Sequence, residues 1–191
     1  KPFGYSGDFL IIDKIYLNYR TPHEPLAAWD DYFHSHAAPE AVRNRKAYFK
    51  ELLSSLDTKK EAPVGVLNVG SGPGRGVREF LAGSDLREVS FTFVDMDHRA
   101  LRYSRRLLRP WEGQVDFVEG NALRYRTDVE FDLVWSAGLF DYLNDRAFVL
   151  LLRRMWKWTK AGGLLVIGNF SDANPSRAYM ELLGDWHLIH R

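Results

Sequence analysis

Cysteine is absent from all 191 residues, which excludes a disulfide framework, a thiolate metal centre and a cysteine nucleophile together. Excess charge of either sign is missing too: 26 Lys and Arg stand against 25 Asp and Glu, a formal net charge of +1. No global field draws phosphate backbones or anionic lipid, so nucleic acid is not an expected partner. No apolar run approaches the roughly 20 residues that cross a bilayer, and no membrane span is expected. The opening Lys1-Pro2-Phe3-Gly4 has neither an initiator methionine nor the pattern of a signal peptide, which predicts a soluble cytoplasmic protein with a trimmed start. Internal repeats and low-complexity stretches are also lacking. His34-Ser35-His36 carries no metal site, because alternate positions on a helix point apart and no carboxylate cluster completes a ligand set; a surface position is expected.

What the chain does have is 46% hydrophobic content, enough for one core of ordinary size. Between Leu26 and Leu56 apolar residues recur at helical spacing, with Phe49 and Leu53 beside Tyr48, Leu52 and Leu56, and Pro39 marks a second helix start. A polar connector, Asp57 to Pro63, follows. Short β-rich runs then alternate with helical ones: strand Val64–Val69, helix Gly74 to Ala82, strand Val89–Val94, helix His98–Leu108. Strands Val115–Glu119 and Phe131–Ser136, helix Asp145–Thr159 and strand Leu164–Asn169 continue the series. Asn144 is placed to cap its helix and Gly162-Gly163 to stop it. In Trp156-Lys157-Trp158 the first tryptophan is expected on the sheet and the second nearer the rim. Continuous apolar strands alternating with helices predict an α/β fold, a doubly wound and mostly parallel sheet with helices on both faces. Residues 1–62 form an N-terminal helical lid on this reading, and 63–191 the core.

The stretch Val66-Leu67-Asn68-Val69-Gly70-Ser71-Gly72-Pro73-Gly74-Arg75-Gly76 reads as a buried strand, a glycine turn and a helix start. In a parallel sheet the ligand crevice lies at such a turn, where glycine permits positive φ and close approach of backbone N–H groups. Asp95 closes the next strand about 20 residues on, where a carboxylate can accept from both hydroxyls of a ribose; capping the following helix is its alternative role, for which Asp97 is the better placed. A dinucleotide fingerprint needs a third glycine at position 75, and Arg75 stands there instead.

With glycines at 70, 72 and 74, the chain resembles the class I S-adenosylmethionine-dependent methyltransferases, whose first motif has the form G-x-G-x-G. The resemblance implies a Rossmann-like core with S-adenosylmethionine as cofactor. Gly70, Ser71, Gly72, Pro73 and Gly74 then form the cofactor turn, Asp95 the ribose acid, Met96 the apolar neighbour of adenine, and Asn121 and Ala122 the adenine-edge segment. Asn68 and Asn121 depart from the acids common at those positions, keeping hydrogen-bonding capacity without charge. Phe131-Asp132-Leu133-Val134-Trp135-Ser136-Ala137-Gly138 followed by Leu139-Phe140-Asp141-Tyr142-Leu143 resembles the fourth-strand motif, which nominates Ser136 and Gly138 beside the cofactor and Asp141 beside the substrate. Asp141 and Tyr142 alternatively only start and pack the next helix.

Two terminal segments, Lys1-Pro2-Phe3-Gly4-Tyr5-Ser6-Gly7-Asp8 and Asn174 to Glu181 with Asp185 to Arg191, are similar to methyltransferases assigned to biosynthesis of the extracellular factor 3-hydroxypalmitic acid methyl ester. That similarity implies a small-molecule partner, the carboxylate of a hydroxy fatty acid with its acyl chain. A fatty carboxylate needs a cation and an apolar tunnel: Arg177 could hold the carboxylate, and Phe3, Tyr5, Phe9, Ile12 and Tyr16 could form the lid. An ion pair with Glu181 is the alternative for Arg177. A carboxylate acceptor needs no base, whereas a hydroxyl or amine would need Asp141, Tyr5 or a histidine such as His36 to take its proton. Arg99, Arg102, Arg106 and Arg109 are read as a solvated ridge. Trp186–Arg191 remains as one candidate strand where this fold ends in a hairpin, so the last strand is expected to be missing. A nicotinamide-dependent oxidoreductase and a non-catalytic cofactor-binding module are the rival readings; oligomeric state is left open.

Overall fold

In the computed structural model, residues 3–56, 63–83 and 89–191 are described; most of the expected polar connector and the first two residues lie outside them. Strands β1 (Val64–Val69), β2 (Val89–Asp95), β3 (Val115–Glu119), β4 (Phe131–Ala137) and β5 (Thr159–Gly168) pair in parallel, in the order β3-β2-β1-β4-β5. Helices α1 (Phe9–Tyr16), α2 (Glu24–His34) and α3 (Ala37–Ser55) precede the sheet. Helix α4 (Arg75–Ala82) follows β1, α5 (His98–Leu107) follows β2, α6 (Asp145–Lys157) follows β4 and α7 (Arg177–Leu182) follows β5.

Side chains alternate across a strand, so each strand supplies two cores. Val64, Val66, Phe91, Phe93, Leu133 and Trp135 pack with Phe49 and Leu53 of α3, Val77 and Phe80 of α4 and Leu101 of α5. Leu67, Val69, Val94 and Val134 line the opposite face with Leu151 and Met155 of α6. Each fully buried Phe or Leu contributes about 1.5–3 kcal/mol, which is why the inward positions of these strands are apolar. A third core joins Ile15 of α1, Ala38 and Val42 of α3, Phe170, Met180 of α7, Trp186 and Leu188. The N-terminal helices and the C-terminal segment are therefore built against each other.

Local chemistry explains most boundaries. Asn144 accepts from the Ala147 amide at 3.0 Å and starts α6, and Asp97 accepts from the Arg99 amide at 2.9 Å and starts α5, as the sequence predicts. Helix α1 falls within the N-terminal segment expected to be a helical lid, although its bounds were not read from the sequence; its start signal is Asp8, which accepts from the amides of Leu10 and Ile11 at 2.9 and 3.1 Å.

Four expectations need correction. Gly162-Gly163 does not end α6, which stops at Lys157; these glycines lie inside β5, where the pairing jumps from Phe131–Thr159 to Leu133–Leu164. Gly162 takes φ +77° there, and a Cβ on Gly163 would stand 2.9 Å from the Asp132 carbonyl oxygen, so the bulge requires both. Trp158, not Trp156, is the buried tryptophan, because the helix ends one residue before it and turns it onto the second core. Trp186–Arg191 forms no strand: its amides at Ile189 and Arg191 donate to Asp141 and Phe170, two irregular segments that offer no ladder. His34 is buried rather than surface, held by a ring contact to the Tyr19 carbonyl at 3.0 Å and by Arg43.

Candidate functional site

Strands β1 and β4 are neighbours whose following helices, α4 and α6, cover opposite faces, so the chain diverges between them at the carboxyl ends of the strands. A crevice opens at such a divergence. Here it is a cavity of about 620 Å³ between the Gly70–Pro73 turn, Asp95 and Met96, and the Gly138–Tyr142 loop. The N-terminal segment roofs it through Tyr5, Gly7, Phe9, Ile12 and Tyr16.

The turn after β1 is fixed by its own hydrogen bonds. The amides of Gly70 and Ser71 both donate to the Val94 carbonyl, at 2.8 and 3.3 Å. Gly70, Gly72 and Gly74 all take positive φ. Beyond Gly72 a Cβ would meet nothing within 4 Å, so that bare backbone borders open space. The Ser71 hydroxyl is buried at the cavity wall without a hydrogen-bond partner among the described residues. Gly74 lines a smaller adjoining pocket and starts α4.

Asp95 connects this turn to the end of β2. Its carboxylate accepts from the amides of Gly72 and Asp97, each at 2.9 Å, and burial pushes its pKa up. Met96 is exposed at the rim. Asp97, held down to a pKa of about 2 chiefly by Arg99, which opposes the effect of burial, accepts from the Tyr5 hydroxyl at 3.0 Å.

The roof has further ties. Arg75 places Nε and Nη2 on the two carboxylate oxygens of Asp13 in α1, at 2.8 and 2.7 Å, while the Tyr103 hydroxyl donates to Asp13 at 2.6 Å. This answers why the position expected to hold a third glycine in a dinucleotide turn holds an arginine. Phe3 stacks on Phe9 at 4.7 Å under the guanidinium of Arg99. The Trp186 indole donates to the Tyr142 hydroxyl at 2.9 Å, which donates to the Ser6 carbonyl at 3.0 Å. Gly7 sits in this knot at φ +71°, where a Cβ would lie 2.4 Å from the Tyr142 oxygen and 2.7 Å from the Trp186 ring. Gly7→Ala is therefore expected to loosen the roof, read as faster amide hydrogen exchange at residues 5–8 with unchanged exchange in β1; protection equal to the parent chain would remove Gly7 from this role.

The structure does not bring every nominated residue to the cavity. Ser136 is buried and donates to the Val69 carbonyl at 2.7 Å, tying β4 to β1. Asn121 accepts from the Leu123 amide at 2.8 Å and Ala122 packs on the second core. Arg177 is exposed and pairs with Glu181 at 2.9 Å, the alternative considered for it. Asp141 and Tyr142 do line the cavity. Asp141 is almost fully buried, accepts from the Phe170 amide at 2.6 Å, and has its pKa raised by burial.

The charged cavity residue that sequence reasoning missed is Arg45. Arg45 lies on α3 between Val42 and Phe49, a cation on the buried stripe of an amphipathic helix. That spacing was its only signal. Among the described residues no group of three or more His, Asp or Glu could hold a metal ion, and no helix is long and apolar enough to cross a membrane.

A parallel sheet in this order, with a glycine turn and a strand-ending acid facing one crevice, defines a Rossmann-like α/β fold of the nucleoside-binding kind. Residues 66–163, just over half of the chain, match the family model described as a methyltransferase domain, and the chain belongs to that family. No curated protein matches it. Among solved structures it is similar to the N-methyltransferase NodS from Bradyrhizobium japonicum, in complex with S-adenosyl-L-homocysteine, at 24% identity and a TM-score of 0.57, over 69% of this chain and 63% of that one. It is also similar to a protein of Bordetella parapertussis described as a possible exported protein, at 23% identity and a TM-score of 0.68, over 86% of this chain and 54% of that one. A third is CalS10, an amino pentose methyltransferase from Micromonospora echinaspora solved with S-adenosylmethionine, at 19% identity and a TM-score of 0.54, over 69% and 52%. The chain thus spans less than two thirds of the length of each.

Proposed function

We propose that this protein is an S-adenosylmethionine-dependent methyltransferase whose acceptor is a small molecule with an apolar part, the carboxylate of a hydroxy fatty acid being the leading candidate. The observation that carries the reading is the cavity itself, which sets an open glycine backbone, an orphaned Ser71 hydroxyl and the Asp95 carboxylate on one wall and apolar roof residues on another. Those polar groups suit the cofactor: the Gly70–Pro73 turn and Ser71 for its amino-acid tail, Asp95 for the ribose, and Met96 for the adenine face. On this reading residues 1–62 are the lid and 63–191 the core. Its working compartment is the cytoplasm.

When bound, S-adenosylmethionine supplies an electrophilic methyl group on a sulfonium. The protein's task is then to hold the nucleophile in line at near-attack distance and to exclude water. Tyr5, Phe9, Ile12 and Tyr16 line the roof and would narrow the access of water to the reacting atoms. A carboxylate nucleophile is already ionised, so no residue needs to remove a proton. The Tyr5 hydroxyl is committed to Asp97, and burial raises its pKa, so it stays protonated and acts as a latch. A second reading, an amine acceptor, is favoured by Asp141, whose raised pKa suits it to take a proton.

The test is transfer of labelled methyl from S-adenosylmethionine to 3-hydroxy fatty acids, read by mass spectrometry as the methyl ester. Cofactor binding with no product from acids or amines would favour a non-catalytic binding module, and tight NAD binding would favour the oxidoreductase reading. Asp95→Ala is expected to cost about 1–3 kcal/mol in cofactor affinity by calorimetry, through lost charge-assisted hydrogen bonds. Only the ionised carboxylate accepts from both ribose hydroxyls, and burial raises the pKa of Asp95. Affinity should therefore be full above that raised value and fall as the pH drops through it, at a higher pH than for an exposed aspartate. A profile that stays flat through that range would take Asp95 out of the ribose contact.

A further inference from the structure

We infer that Arg45 holds an anionic head group of the methyl acceptor, and that the acceptor's apolar tail lies along Phe170 and Trp186 into a second pocket behind them. The inference rests on the methyltransferase reading with an acidic, apolar-tailed acceptor, and adds the residue that holds the acid and the pocket that takes the tail.

Arg45 enters the main cavity from α3 with 19% of its side chain exposed. Its guanidinium lies over the Phe170 ring, 4.4 Å from the centroid. Nη1 stands 3.6 Å from Asp141 Oδ2, beyond a good hydrogen bond, and 3.7 Å from where a Cβ on Gly138 would be. Asp141 is engaged elsewhere, its Oδ1 accepting from the Phe170 amide. Among the described residues most of the five guanidinium donors are therefore left without a hydrogen bond, inside a largely apolar wall. A planar donor fork in that condition matches a carboxylate, which offers two acceptors in one plane and the opposite charge. An ammonium head would meet the like charge of Arg45 there and would have only Asp141, which already accepts from the Phe170 amide, as its counter-charge.

The place for the tail is the pocket on the far side of a shared wall, which the tail reaches where Phe170 and Trp186 part. A pocket of about 160 Å³ lies among Ile15, Pro39, Tyr179, Met180 and Leu183, and Val42, Phe170 and Trp186 line both it and the main cavity. An apolar cavity of about 150 Å³ takes up a benzene, so this one has room for about six carbons. The head beside Gly138 and Asp141 stays on the loop that borders the cofactor side of the cavity. Arg177, nominated from the sequence for the carboxylate, lies outside both pockets.

Calorimetry of decanoate, butanoate and decylamine, each with and without saturating S-adenosylhomocysteine, tests the inference. The preceding titration of S-adenosylhomocysteine judges the methyltransferase reading by itself, whereas the decanoate titrations judge Arg45 in either condition. Decanoate is expected to bind at least about tenfold more tightly than decylamine or butanoate. Arg45→Gln should lose about tenfold or more in decanoate affinity with S-adenosylhomocysteine affinity unchanged, and Arg45→Lys should recover part of it. Undiminished decanoate binding by Arg45→Gln, or decylamine binding as tightly as decanoate, would overturn the head-group assignment. Butanoate binding as tightly as decanoate would overturn the tail pocket.

Discussion

Asp13→Ala is expected to lower the free energy of unfolding by about 3–5 kcal/mol, measured as a fall in the midpoint of urea denaturation. Asp13 is buried, with both carboxylate oxygens on Arg75 and a hydroxyl from Tyr103. Removing it strands a guanidinium whose own side chain is only 11% exposed, and a buried charge without its partner carries most of the penalty. The double variant Asp13→Ala with Arg75→Met leaves no orphan charge and should be less destabilised than Asp13→Ala alone. If the double variant is instead the worse by the sum of two independent effects, the pair is not acting as a buried unit.

Gly74→Ala is the second large effect, at about 2–5 kcal/mol of destabilisation. Two causes add. The backbone there has φ +71°, which costs an L residue about 1–2 kcal/mol. A Cβ would also stand 2.9 Å from the Phe93 ring and 3.1 Å from the Ser104 Cβ, both in fully buried residues that cannot retreat, and overpacking of this kind costs about 1–3 kcal/mol. Gly72→Ala provides the contrast. Its φ of +59° carries the same backbone strain, but the added Cβ enters open space on the cavity side. Thermal denaturation should show the smaller loss for Gly72→Ala, while calorimetry shows the larger loss of cofactor affinity. Equal thermal shifts for the two would mean that contact with Phe93 is not what makes Gly74 a glycine.

The sheet was legible because its central strands β1 and β4 are buried almost throughout and read as apolar runs, with β2 keeping its apolar residues at alternate positions, and because Asn144 and Asp97 mark helix starts by a local hydrogen bond. Local chemistry is what a sequence prints most directly. The glycine turn and Asp95 were legible for the same reason, since a turn's φ requirement and a strand's last residue are both short-range facts. Gly162-Gly163 misled because glycine marks positive φ wherever it occurs, in a helix stop or in a strand bulge, and only the pairing register with β4 separates the two. Arg45 and the partners of Asp141 were out of reach because they depend on α3 and the C-terminal segment meeting across the sheet's end, contacts more than 90 residues apart in the chain for Arg45 and Asp141. Ser136 and Asn121 show the converse: at positions matching a family motif, the Ser136 hydroxyl bonds the Val69 carbonyl and Asn121 Oδ1 accepts from the Leu123 amide, contacts that the motif does not announce.

Arg75 occupies the position that would be glycine in a dinucleotide-binding turn, and it is also the residue that fastens α1 above the cavity. Engineering the turn toward the dinucleotide pattern by Arg75→Gly would consequently unfasten the cover at the moment it changed the pattern. Ligand preference and solvent exclusion are coupled in one side chain, so neither can be retuned there without disturbing the other.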